Sequence, residues 1–188
     1  MICSVNHKPS PLTMPRLTIR TIPDPTLRQK AAPVKVVDKR VAEIMQDMME
    51  TMYIGNGIGL AANQVGLLER IVTIDVSEER NGTKALLMAN PTILWKADET
   101  FIYREGCLSV PEHYAEITRP KRIRISYIDQ HGKTQELEAE DLLSQCIQHE
   151  IDHLNGVLFI DYLSPLKRKM ITRKIEKAQR EKVDGKVL

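Results

Sequence analysis

Two histidines and a glutamate stand together at His149-Glu150-Ile151-Asp152-His153. On a helix, residues four apart lie on one face a turn from each other, so His149 and His153 can point their imidazoles at a single metal ion. Glu150 neighbours them without being obliged to ligate, which suits a base acting on water activated by a metal. Leu142, Cys146, His149 and His153 fall on one stripe, which turns the candidate ligands toward the buried side. Histidines buried beside a glutamate are costly unless a metal or fixed partners hold them. A catalytic metal site takes three protein ligands and keeps one position open, so a further ligand is required.

Three sources can supply it: Cys107, Cys146 or a downstream carboxylate. Cys146, three residues before His149, suits the wall of an adjoining pocket, where it acts as a small buried hydrophobe. Cys107 sits in Glu105-Gly106-Cys107-Leu108-Ser109. The glycine before it lets the backbone come close to a metal or a substrate, and a thiolate is a strong ligand. The competing reading of Cys107 is a core cysteine at a strand end. A third segment, residues 57–64, reads Gly-Ile-Gly-Leu-Ala-Ala-Asn-Gln. Its glycines and small residues let another backbone lie closely over it, with the Gln64 amide at its end. It is not a phosphate loop, because no Lys-Ser/Thr follows and the dinucleotide glycine spacing is incomplete.

Taken together and in this order, Gly-Ile-Gly-Leu-Ala-Ala-x-Gln, Glu-Gly-Cys-Leu-Ser and Gln-His-Glu-x-Asp-His resemble the three motifs of peptide deformylases. The resemblance runs from about Leu17 through the last helix. It implies that Cys107, His149 and His153 hold one divalent metal, Fe(II) in the cell, with Zn, Ni or Co able to take its place. It further implies that Glu150 is the general base and acid, that Gln64 and the Leu108 backbone N–H bind the oxyanion, and that Ile58 and Gly59 face the substrate backbone. Leu142 and Cys146 complete the expected substrate pocket. The implied reaction removes the N-formyl group from the initiator methionine of new polypeptides and releases formate. Donors placed on a developing oxyanion are worth roughly 3 kcal/mol each. Two imidazoles and a thiolate suit several borderline-soft metals, so the ligand types alone do not choose iron over zinc. Asn63, Tyr103 and Tyr114 depart from common versions of the motifs, at places expected to touch the methionine pocket or the path of the downstream peptide. Asp152, three residues from His149, is expected to pair with Arg119 behind the site.

Two rival readings remain in view. A zinc endopeptidase would take Glu176, 23 residues after His153, as third ligand. A non-catalytic zinc module would close its site with four protein ligands and use its basic tail to bind RNA.

The elements that must position these residues are legible in outline. Asp24-Pro25 opens a short helical turn, and Asp38 caps a longer helix with Val41, Ile44, Met45, Met48 and Met52 on one face. Short β-branched or apolar runs follow at 71–76, 85–89 and 92–95, separated by turn signals that include Asn90-Pro91, and alternation marks strands around 123–127 and 135–139. An amphipathic helix then spans Leu142 to Leu154, stopped by Asn155-Gly156, and Ser164-Pro165 opens the last helix. The expected fold is one α+β domain, its central metal-binding helix packed on small antiparallel sheets, with a C-terminal helix.

Composition sets the outer limits. The chain has 188 residues, enough for one core and too few for two ordinary domains, and no apolar run approaches the length of a membrane span. Residues 1–16 read as a tail outside the catalytic domain, with Met14 as an alternative start; Lys8, Arg16 and Arg20 lie in an acid-free stretch that resembles an organellar presequence. Residues 17–164 read as the catalytic unit and 165–188 as its basic C-terminal helix and tail. Three cysteines without framework spacing indicate a reducing compartment, taken as the bacterial cytoplasm with an organelle as the alternative. The net charge of +2 is unevenly divided: residues 165–188 carry nine basic and three acidic residues, which leaves −4 for the rest. Such asymmetry points to a polyanionic partner for the tail. With the formyl-Met nascent polypeptide that the deformylase resemblance implies as substrate, that partner is expected to be the ribosome near the exit tunnel.

Overall fold

The computed structural model describes residues 17–183 and Gly185. The expected tail at 1–16 lies outside them, as do Asp184 and residues 186–188. Asp24 accepts a hydrogen bond from the Thr26 N–H at 2.9 Å and opens a 3-10 turn, Pro25–Arg28. Asp38 caps α1, Lys39–Ile54, by accepting from the Val41 N–H, also at 2.9 Å. Val41, Met45, Met48 and Met52 are completely buried, so the methionine stripe is a core face.

Seven strands follow: β1 (Gly59–Ala61), β2 (Ile71–Ile74), β3 (Leu86–Lys96), β4 (Thr100–Cys107), β5 (Val110–Pro120), β6 (Arg122–Ile128) and β7 (Thr134–Glu140). Five of them form an antiparallel sheet in the order β1-β2-β3-β6-β7, and β4 with β5 makes a separate antiparallel hairpin. The expected break at Asn90-Pro91 is absent, and β3 runs through it. Asn90, at φ 53°, forms a bulge whose side-chain amide bonds both the N–H and the carbonyl of Val34 at 2.8 Å. A distant partner thus captures the turn-prone residue and turns a break into a bend. The β4–β5 hairpin carries no apolar alternation to announce it, because two of its buried positions are Glu105 and Arg119.

α2 (Asp141–Leu154) is the central helix, buried from Ser144 through Ile151 and again at His153 and Leu154. Its apolar side, Cys146, Ile147, Ile151 and Leu154, packs on Val72, Ile74, Met88, Ile123 and Ile125 of the sheet. α3 (Pro165–Val183) is anchored on the body by Ile175, which joins Ile22, Leu27, Phe159 and Ile160 in one cluster. The Gln179 Nε2 donates to Thr21 Oγ1 at 2.8 Å and to the Ile22 carbonyl at 2.9 Å. The fold is the α+β arrangement read from the sequence, and among the described residues no helix is long and apolar enough to cross a membrane.

Candidate metal centre

Helical spacing puts His149 and His153 one turn apart on α2, with ring centroids separated by 4.9 Å. The end of β4 brings Cys107 against them: its Sγ lies 3.2 Å from His153 Nε2, and one ligand atom from each of the three residues lies within 4.8 Å of the others. His149, Glu150 and His153 are all buried. Cys146 does not join this group; its Sγ sits 3.7 Å from the Ile58 carbonyl. Nor does Glu176, which lines a recess with Arg28, Arg168 and Arg173. The endopeptidase ligand set is therefore overturned, and among the described residues no fourth ligand closes the group as a structural zinc module requires.

A residue the sequence reading left without a role organises the centre. Glu105 accepts from His149 Nδ1 at 2.8 Å, which leaves Nε2 as the nitrogen available to a metal. Arg119 holds Glu105 in turn through Nε and Nη2, the latter at 3.0 Å, and its Nη1 donates to Asp152 Oδ2 at 2.8 Å. The expected Arg119–Asp152 pair is thus present, but as one arm of a larger network. Tyr162 closes it, donating to the same Asp152 oxygen at 2.8 Å. A signal existed in the sequence: Glu105 is two residues before Cys107 on a strand, hence on the same face.

The electrostatics follow from these contacts. Burial would raise Glu105, but hydrogen bonds from His149 and Arg119 hold it down to about 2. For His149, burial works against the charged form, yet hydrogen bonds to Cys107 and Glu105 raise its pKa. His153 is pushed the other way, by burial and by the neighbouring positive charges. Burial lifts Glu150 to about 7.

Gln64 is fixed at both ends of its amide. Its Oε1 accepts from the Ala61 N–H at 2.8 Å, while Nε2 donates to Ser109 Oγ at 3.2 Å and reaches Cys107 Sγ at 3.5 Å. The Ser109 N–H also donates to that sulfur at 3.4 Å. Gly59 lies flat against the Glu150 carboxylate, and a Cβ there would overlap Glu150 Oε1 and sit 2.8 Å from Cys146 Sγ. The segment before it is braced from behind: Arg80 donates to the Gly57 carbonyl, and the Asp75 N–H donates to the Ile58 carbonyl at 2.9 Å.

A cavity of about 480 Å³ opens onto this arrangement. Ile58, Gly59, Gln64, Cys107, Leu108, Leu142, Cys146, His149 and Glu150 all line it, with Leu142 partly exposed at its rim, while His153 is buried behind. Tyr114 lines it as well. Asn63 and Tyr103 do not, which corrects their expected place: Asn63 Nδ2 donates to the Gln29 carbonyl at 2.6 Å, and Tyr103 stacks on Phe101.

The residues fit a divalent metal. A thiol and two imidazoles converge, a donor set for borderline-soft cations. Glu150 Oε2 and His153 Nδ1 are buried with no hydrogen-bond partner among the described residues.

An α+β fold that buries a Cys-His-His donor group beside a carboxylate, at the end of an open cavity, has the parts a metal-dependent hydrolase needs: ligands, a base and access for substrate. A family model described as polypeptide deformylase matches residues 16–169. A peptide deformylase of Bartonella tribocorum is 52% identical over 171 residues, covering 90% of this chain and 96% of that one. The crystal structure of peptide deformylase from Ehrlichia chaffeensis superposes with a TM-score of 0.84 at 39% identity, covering 89% of this chain and 98% of the other. The same enzyme in complex with actinonin gives a TM-score of 0.84 at 40% identity, covering 89% and 99%. The chain belongs to the polypeptide deformylase family, metal-dependent hydrolases that remove N-formyl groups from nascent peptides.

Proposed function

We propose that this site removes the formyl group from the initiator methionine of nascent chains, with Cys107, His149 and His153 holding Fe(II) in the cell and accepting Zn, Ni or Co. The observation that carries the reading is the convergence of those three donors beside the unpartnered Glu150 oxygen at a cavity open to substrate. The cation, when bound, supplies Lewis acidity that makes water ionisable near neutral pH. Glu150 accepts the proton of the attacking water at its carboxylate. As the new C–O bond forms at the formyl carbon, the oxyanion is held by the Leu108 N–H and by the Gln64 Nε2 hydrogen that otherwise reaches Cys107 Sγ, donors that stabilise it by roughly 3 kcal/mol each. The C–N bond then breaks, Glu150 returns its proton to the departing amine, and formate is left. Ile58 and Gly59 line the substrate backbone, while Leu142 and Cys146 wall the methionine side chain. The two ring-nitrogen requirements of His149 are met by Glu105 on one side and the ligand site on the other.

Residues 17–164 act as the catalytic unit, and 165–188 as a basic appendage of the same domain, working in the cytoplasm of a bacterium or in an organelle. A recess of about 540 Å³ lined by Arg28, Arg168, Lys169 and Arg173 supports a ribosomal RNA contact at the exit tunnel. Salt-sensitive ribosome binding that survives removal of the residues after Pro165 would refute that contact. For the chemistry, formate release from a formyl-Met peptide is measured on anaerobically purified protein, alongside metal content and inhibition by actinonin. Turnover should depend on the metal, and Glu150→Ala should keep the metal and lose the turnover. Unchanged activity in that variant would overturn the assignment.

A further inference from the structure

Resting on the deformylase reading, we propose that the substrate path continues past the cavity into a second groove between β5 and α3, which selects nascent chains with acidic side chains a few residues after the formyl-methionine. Tyr114 lines both hollows, so the groove, of about 530 Å³, adjoins the cavity at that side chain. Its position is fixed: the ring lies over Gly106, its cross-strand partner, where a Cβ would come within 2.6 Å of Tyr114 Cδ1, and the Arg104 guanidinium covers it at 4.6 Å from the ring centroid.

One wall of the groove is the face of α3 that carries Lys167, Met170, Ile171 and Lys174. Spaced by three, four and seven, these residues share one side of the helix. Met170 is 52% exposed at the middle of that side, with a lysine at each end. Among the described residues neither Lys167 nor Lys174 holds a carboxylate in an ion pair, and the only acid in the lining is Glu116. From Lys167 to Lys174 the helix rises about 10 Å, the reach of about three residues of extended chain. An extended peptide leaving the cavity over Tyr114 therefore meets an apolar strip flanked by two ammonium groups, a chemistry that favours carboxylates. The basic recess assigned to RNA uses Arg168, Lys169 and Arg173, on the opposite side of the same helix, so the two surfaces are separable.

The test compares formate release from formyl-Met-Ala-Ser with that from two hexapeptides that extend it by three glutamates or three lysines, at low and high salt, for the metal-loaded protein and for K167E/K174E. The glutamate peptide should exceed the lysine peptide in kcat/KM by about fivefold, the size of two exposed ion pairs acting together, with the difference in KM. Salt should shrink that ratio, and K167E/K174E should invert it. Equal rates for the two hexapeptides, or a preference that the double variant leaves unchanged, would overturn the groove. Absence of formate from formyl-Met-Ala-Ser itself would overturn the deformylase reading and the groove with it.

Discussion

Replacing Arg119 by methionine keeps much of the side chain's length and removes its charge. In the native protein Arg119 and Glu105 are 4% and 1% exposed at their side chains, and the guanidinium makes two of the bonds to Glu105 and one to Asp152. Without it, the Glu105 carboxylate stays buried with His149 as its remaining side-chain partner. Breaking a buried pair in this way costs about 3–5 kcal/mol, because one charge is left uncompensated. Set against a total stability of about 5–15 kcal/mol, that is a large share, and for a chain of this length it lowers Tm by about 10 °C. Metal affinity should fall by about 10- to 100-fold, since the carboxylate that orients His149 is itself no longer held. Thermal unfolding of chelator-treated protein reads the first effect, and competition with a metal-binding dye reads the second. Glu105→Gln combined with Arg119→Met should be more stable than Arg119→Met alone, with a coupling of about 2 kcal/mol, because no unpaired carboxylate remains. An Arg119→Met protein of unchanged stability and metal affinity would refute the reasoning, as would a cycle in which the two substitutions simply add.

Gly59→Ala should leave metal content intact and lower kcat/KM about 100-fold, because the new methyl displaces the Glu150 carboxylate it would overlap; a crystal-clear assay is formate release beside metal analysis, and near-normal turnover would contradict the close approach. Cys107→Ser should lose both metal and activity, and retained activity would return the third ligand to a carboxylate. Chelation should abolish turnover and lower Tm, with both restored by adding back a divalent metal, since folding is what brings Cys107 to the two histidines and the ion therefore favours the folded chain. Asp161 is held below the usual carboxylate range: burial opposes this, but the Arg28 hydrogen bond and the Leu158 N–H, at 2.8 Å, outweigh it. Its folded pKa lies below its unfolded value of about 3.9, so its contribution is complete above that pH and fades as pH falls through the folded value. The stability gap between the wild type and Asp161→Asn should therefore be constant from pH 5 to 7 and close below pH 4 in urea titrations, and a gap that widens on acidification would reverse the sign.

What the sequence determined by itself was local. Helical periodicity alone places His149, Glu150 and His153 together on α2, because three or four residues fix which side chains share a face. Asp38 and the methionine stripe of α1 were legible for the same reason, and the glycine at 59 was readable as a site of close approach. Three complete motifs in order were enough to give the family. Residue spacing alone left Cys107, Cys146 and a downstream carboxylate open as third ligand, and only the resemblance of the motifs pointed to Cys107, since that contact spans 46 residues and depends on the β4–β5 hairpin docking against α2. It left Glu105 without a role, because a buried acid reads as a surface residue until Arg119 arrives from the next strand. It broke β3 at Asn90-Pro91, because the backbone of Val34, which captures Asn90, lies 56 residues away. And it read the C-terminal helix as a single basic element. Only its docking through Ile175 and Gln179 gives that helix two different sides, one turned to the groove beyond the active site and the other to the recess beside Arg28, because the direction a helix face points is set by what the helix packs against.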